Sequence, residues 1–105
     1  DPDRLLIPDS LEPAGTRMVR WSDIDYNGHM NNAVYADIIT DAMPREMRGR
    51  NITGFSISFL HEALEGERIE LKSGIARRRG EDEVWITGEH IRGHCFEACI
   101  KMQPD

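Results

Sequence analysis

Cysteine is scarce: Cys95 and Cys99 are the two in 105 residues. Four residues of strand span about 13 Å and a disulfide needs Cα atoms within about 7 Å, so these two do not pair in a regular strand. They read as small buried or half-buried residues in a reducing compartment. No Cys/His spacing suggests zinc, so neither metal nor cofactor is expected. No apolar run approaches the roughly 20 residues that span a bilayer, and no signal peptide is visible. A soluble, cytoplasmic protein that does not engage membranes is the expectation. Positive charge is also short: 13 Lys and Arg against 19 Asp and Glu, a net charge of -6. That excludes nucleic acid as the expected partner, since it selects a basic surface. Two arginine groups depart from the trend, Arg45, Arg48 and Arg50, and Arg77 to Arg79. Such groups can meet a phosphate or an acidic protein, but more often they form a solvated loop or a hairpin end.

The length suits one domain with one core. A domain this small buries only about two-thirds of its unfolded surface, so a partner domain or second copy would help it. The chain opens on Asp1 and carries Pro2, Pro8 and Pro13 before Ala14-Gly15. Residues 1–15 therefore read as a linker or extended lead-in trimmed from something longer, and residues 16–105 as the domain.

Within the domain, Thr16 to Trp21 is strand-prone. Ala33 to Met43 has helical spacing, with Val34, Ile38 and Ala42 on one row and Tyr35, Ile39 and Met43 on another. Asn31 or Asn32 is its N-cap, and Pro44 stops it. Four strands are expected next: Ile52 to Ala63, Arg68 to Arg79, Glu83 to Ile91 and His94 to Met102. Turns fall at Leu64-Glu65-Gly66-Glu67, Gly80-Glu81-Asp82 and Arg92-Gly93. Phe55, Ile57 and Phe59, then Ile69, Leu71, Ser73 and Ile75, then Phe96, Ala98, Ile100 and Met102 line apolar strand faces. A single helix that is apolar on most sides, with one apolar face per strand, predicts an α+β hotdog fold. In it an antiparallel sheet wraps around one long central helix.

One segment does not belong to packing. Asp23-Ile24-Asp25-Tyr26-Asn27-Gly28-His29-Met30-Asn31-Asn32 holds two carboxylates, an imidazole and three carboxamides. Asx residues crowd turns and caps for structural reasons, and Asn27-Gly28 alone is an ordinary turn dipeptide. The set, with a histidine at the entrance to a buried helix, suits a reaction that moves protons around a carbonyl. In extended chain Asp25, Asn27 and His29 project to one side; a tight turn gathers them around a point. Free N–H groups at the helix start can hold a developing oxyanion.

The run from Trp21 to Tyr35 resembles the second hotdog domain of the acyl-acyl-carrier-protein thioesterases. That family carries Asp-x-Asn-x-His, then paired asparagines and a tyrosine; Asp25, Asn27 and His29 match one by one. The family's glutamate near the end of the next long strand falls on Glu62 of Phe59-Leu60-His61-Glu62-Ala63. Plant members often have a cysteine directly after it; Ala63 stands here, so no cysteine nucleophile is implied. The resemblance covers roughly residues 16–103. Single-domain acyl-CoA thioesterases of the same fold resemble the chain through Asp-x-x-Gly-His-x-Asn-Asn, which residues 25–32 also fit.

The resemblance implies a thioester hydrolase of fatty acid biosynthesis acting on fatty acyl-acyl-carrier-protein, or alternatively on acyl-CoA. It implies Asp25, Asn27, His29 and Glu62 as catalytic residues. Gly28, Met30, Asn31 and Asn32 are the candidates for substrate binding. Asp25 or Glu62 activates water with His29 assisting proton transfer, or one of them forms a mixed anhydride. The partner is an N-terminal hotdog domain or a second copy of the chain. A non-catalytic acyl-binding module is the alternative from another class. His61 is expected to face away from Glu62, His90 and His94 to lie on the surface, Trp21 and Trp85 to pack, and the methionines other than Met30 to fill the core.

Overall fold

The computed structural model describes Pro8 and residues 10–104. Residues 1–7, about half of the expected lead-in, lie outside the described residues. The elements are β1 (Glu12–Met18), α1 (Asn32–Asp41), β2 (Ile52–Phe59), β3 (Arg68–Arg78), β4 (Glu81–His90) and β5 (Gly93–Met102), with short 3-10 turns at Trp21–Asp23 and Arg45–Met47. The strands form one five-stranded antiparallel sheet in the order β1-β3-β4-β5-β2. Helix α1 packs on one face of it. This is the hotdog fold. None of the helices among the described residues is long and apolar enough to cross a membrane.

Several boundaries move from the sequence expectation. β1 begins at Glu12, inside the stretch read as linker, and stops before Trp21. Proline argues against a strand only where its missing N–H is needed. β1 is an edge, and the register shifts between Pro13 and Gly15, where Gly15 has φ 111. The β3–β4 turn is Arg79-Gly80, and Glu81 and Asp82 already pair with Arg78 and Arg77. β2 ends at Phe59, well short of Ala63, and the site depends on this.

Helix α1 is capped by Asn31, whose side-chain oxygen accepts from Ala33 N at 2.8 Å. Tyr35, Ile38 and Ile39 are buried, while Ala36, Asp37 and Thr40 are exposed. The helix is thus covered along one face rather than on most sides. Opposite it, Ile69, Val84, Ile86, Phe96 and Ala98 are each 0% exposed. Burying each large apolar side chain contributes about 1.5–3 kcal/mol. Met43, Met47 and Met102 fill this core, but Met18 is exposed.

The expected inward face of β2 is only partly inward. Ile57 packs against the core, yet Phe55 is 56% and Phe59 54% exposed, because β2 is the other edge of the sheet. Trp85 is buried, but Trp21 stands in the open. The central strands also bury charge, and at Asp82 and Glu83 it is matched by donors. Asp82 accepts from Arg50 at 2.9 Å and Arg77 at 2.8 Å. Glu83 accepts from Arg78 at 3.0 Å and from the Trp85 indole at 3.2 Å. Arg50, Arg77 and Arg78 are therefore tied into the sheet.

Candidate active site

The polar segment is a locked turn. Arg17 grips Asp23 with two parallel bonds, 2.9 and 3.0 Å, and Arg20 N donates to the same carboxylate at 2.8 Å. Burial raises the Asp23 carboxyl, but Arg17 and the Arg20 N–H outweigh it and hold it below its ordinary value. Asp23 O accepts from Asn31 N at 2.9 Å, and Ile24 bridges Met30 antiparallel, so the chain doubles back on itself. Asp25 shapes the tip. Its N donates to His29 O at 2.9 Å, and its carbonyl accepts from Gly28 N at 3.1 Å. Its Oδ1 accepts from Asn27 N at 2.9 Å and His29 N at 3.2 Å. Gly28 has φ 79, in the left-handed region that favours glycine. The residues gather around a turn; they do not line up along a strand.

Glu62 arrives from the far end of the sheet. With β2 finished at Phe59, Leu60 N and His61 N both reach the Cys95 carbonyl, at 3.0 and 3.4 Å. Val19 pairs with the following turn, through Gly66 N to Val19 O at 2.8 Å and Val19 N to Glu67 O at 2.9 Å. Val19 leads directly into the polar segment, so these bonds register the two loops against each other. His29 Nδ1 and Glu62 Oε1 meet in a hydrogen-bond contact across 33 positions of sequence.

Around that pair is an open cleft of about 330 Å³, walled by Met30, Asn32, Tyr35, Phe59, Leu60 and His61. Tyr35 stacks edge-on against Phe59 at 5.0 Å and Phe96 at 5.8 Å. Burial pushes its phenol above the ordinary value, which the Ala63 backbone only partly offsets. His61 does not face away from Glu62: the strand that was to alternate the two has already ended, and both line the cleft. His90, expected on the surface, is 4% exposed, its ring 6.3 Å from that of His61. His94 is exposed and contacts Glu89 at 3.1 Å.

The other candidate residues separate. Asp25 and Asn31 line a second cleft of about 480 Å³ with Trp21, Ser22, Ile24 and Tyr26. Asn27 and Gly28 sit at the exposed loop tip and line neither cleft. The Gly28 N–H is committed to Asp25, that of Ala33 to the Asn31 side chain, and those of Val34 and Tyr35 to Asn31 O. Asn32, the first helical residue, has no intrahelical acceptor for its N–H, and it borders the His29–Glu62 cleft. Sequence reasoning pointed to the helix start without finding this residue's N–H; the N-cap identity was the available signal.

Cys95 and Cys99 are buried and are not joined in a disulfide, and burial pushes Cys95 up to about 11, which keeps it protonated. Among the described residues no group of three or more His, Cys, Asp or Glu is placed to hold a metal ion.

Residues 14–96 match the family described as the acyl-ACP thioesterase C-terminal domain. The chain is 27% identical over 73 residues to the chloroplastic dodecanoyl-[acyl-carrier-protein] hydrolase of Cinnamomum camphora, covering 69% of this chain and 19% of that protein. In structure it is similar to an acyl-ACP thioesterase from Bacteroides thetaiotaomicron, with TM-score 0.65, 22% identity, and 90% of this chain on 40% of that one. It is also similar to a Staphylococcus aureus protein solved in complex with CoA, with TM-score 0.72, 20% identity, and 91% of this chain on 88% of that one. The chain thus spans about a fifth of the curated relative it matches.

Proposed function

The chain belongs to the acyl-ACP thioesterase family, as its C-terminal domain, and from that premise we propose that it hydrolyses fatty acyl thioesters of acyl carrier protein to free fatty acid and carrier protein. The observation that carries the reading is the contact between His29 and Glu62 at the mouth of the Tyr35 cleft.

Glu62 accepts from His29 Nδ1 and so fixes the tautomer, leaving Nε2 free to take a proton. A water molecule in the cleft gives its proton to His29 as its oxygen attacks the thioester carbonyl. A C–O bond forms, the C–S bond breaks, and the proton held by His29 passes to the departing thiolate. The Asn32 N–H, at the positive end of α1, supports the oxyanion; loss of one such donor typically costs about 3 kcal/mol of barrier. Asp25 and Asn27 keep the turn that aims His29. Asp25 lines the neighbouring cleft, with its Oδ1 held by two backbone N–H groups. The buried Met30 and Tyr35, which line the same cleft as His29, receive the first part of the acyl chain. No cofactor enters this chemistry.

A companion hotdog unit, in a longer chain or as a second copy, covers the β2 edge and completes the acyl pocket. The exposed Phe55 and Phe59 support this. An acyl-CoA substrate is the second reading, favoured by the likeness to the Staphylococcus aureus protein in complex with CoA.

The test is hydrolysis by the full-length protein of one acyl group carried on acyl carrier protein or on CoA. Strong preference for the carrier protein is expected. Equal or better use of acyl-CoA moves the protein to the second reading. Hydrolysis of neither leaves a non-catalytic acyl-binding module and overturns both.

A further inference from the structure

We propose that Arg92 is a positioning residue for this hydrolysis, tying the Glu62 main chain to Glu67 and thereby holding the Glu62 carboxylate against His29. The inference rests on the catalytic reading of His29 and Glu62 and extends it to a residue outside the cleft.

The need for such a tie follows from where β2 stops. Beyond Phe59 the ladder gives way to bonds from Leu60 N and His61 N to one carbonyl, that of Cys95. Glu62 has no strand neighbour to fix it. Arg92, in the turn between β4 and β5, supplies the constraint. Its Nη2 donates to Glu62 O at 2.7 Å. Its Nε and Nη2 donate to the two oxygens of Glu67, each at 3.0 Å. The planar guanidinium thus spans both ends of the Glu62–Glu67 loop with a fixed fork, which lysine cannot reproduce. The loop is closed from within by Glu67 Oε1, which accepts from Leu64 N at 2.7 Å. Arg92 is itself anchored, since its N donates to Nδ1 of the buried His90 at 3.0 Å. Ala63, 0% exposed, pins the residue after Glu62 into the core.

Arg92 does not line the cleft. Its influence on the reaction runs through the placement of Glu62. A displacement of about 1 Å in a catalytic constellation can cost about a hundredfold in rate. An exposed ion pair such as Arg92–Glu67 typically adds little to stability, so its loss leaves the fold standing.

A double-mutant cycle in the full-length protein tests the assignment. Arg92→Ala is expected to lower kcat by about ten- to a hundredfold with KM little changed. In a Glu62→Gln background the same substitution is expected to cost almost nothing more, because the group it positions is already disabled. Arg92→Lys is expected to lose less than Arg92→Ala and to show the same dependence on Glu62; it carries the cycle if Arg92→Ala does not fold. Full activity of both Arg92 variants, beside an impaired Glu62→Gln, overturns the role of Arg92 alone. An equal loss in both backgrounds overturns it too, as general damage to the fold. If Glu62→Gln is itself fully active, the catalytic reading falls and Arg92 loses its task with it.

Discussion

The ring of Phe96 occupies the space where a side chain at Gly88 would begin, directly across the β4–β5 ladder. Phe96 is fully buried and stacks on Tyr35, which stacks on Phe59 and walls the cleft. A bare backbone position in β4 therefore makes room for the ring against which Tyr35, a wall of the candidate site, packs. Gly88→Ala is expected to destabilise the domain by about 1–3 kcal/mol, since the ring must leave its place in a packed core. Urea unfolding measures it, and an unchanged midpoint would refute the packing argument.

Glu62 and Asp25 are expected to respond differently. Glu62→Gln and His29→Ala should each lower kcat by about a hundredfold or more, as loss of general acid–base catalysis does. Asp25→Asn keeps an oxygen that can accept from Asn27 N and His29 N, so the turn survives. Its loss is expected to be smaller. Rates with acyl-carrier-protein substrate decide; a larger loss in Asp25→Asn would exchange the two roles.

Glu67 carries a pH signature. Hydrogen bonding from Arg92 is the largest influence on its carboxyl, which is held down from 4.5 to about 2. The unfolded chain thus takes up this proton at higher pH than the folded one. The stability contributed by the pair is complete above about 4.5 and is lost as the pH falls toward about 2. Glu67→Gln should lower Tm by up to a few degrees at neutral pH and leave it unchanged near the acid end. A Tm difference that stays constant with pH would count against this.

Phe55 lies open on the β2 edge beside a groove of about 420 Å³ that includes Ile39, Met43, Ile52 and Met102. An exposed apolar edge invites strand pairing. The 105-residue chain alone is expected to self-associate at micromolar concentration, and Phe55→Lys to shift it toward monomer. Light scattering reads the mass; a monomeric parent chain would show that the edge needs no cover.

Much of this was legible in the residues. The period of Tyr35, Ile39 and Met43 gave the helix, the alternation of Phe96, Ala98, Ile100 and Met102 gave β5, and Asn31 and Pro44 gave the helix limits to within a few residues. Local chemistry settles such elements, because a cap, a proline or an alternating face acts over a few positions. The end of β2 was not legible. No proline or glycine follows Phe59 before Gly66 to stop the strand, and nothing in the pattern shows that Leu60 N and His61 N converge on the one carbonyl of Cys95.

By itself the sequence determined the order of the elements, the hotdog arrangement and the identity of the polar turn, since those follow from spacing and turn chemistry. Tertiary structure alone decided which polar groups meet. It joined His29 to Glu62 across 33 positions, sent Asp25 and Asn31 to a different cleft, and brought Arg92 under the Glu62 loop. These contacts depend on sheet register and on where each strand stops, which are fixed only when the whole core packs at once.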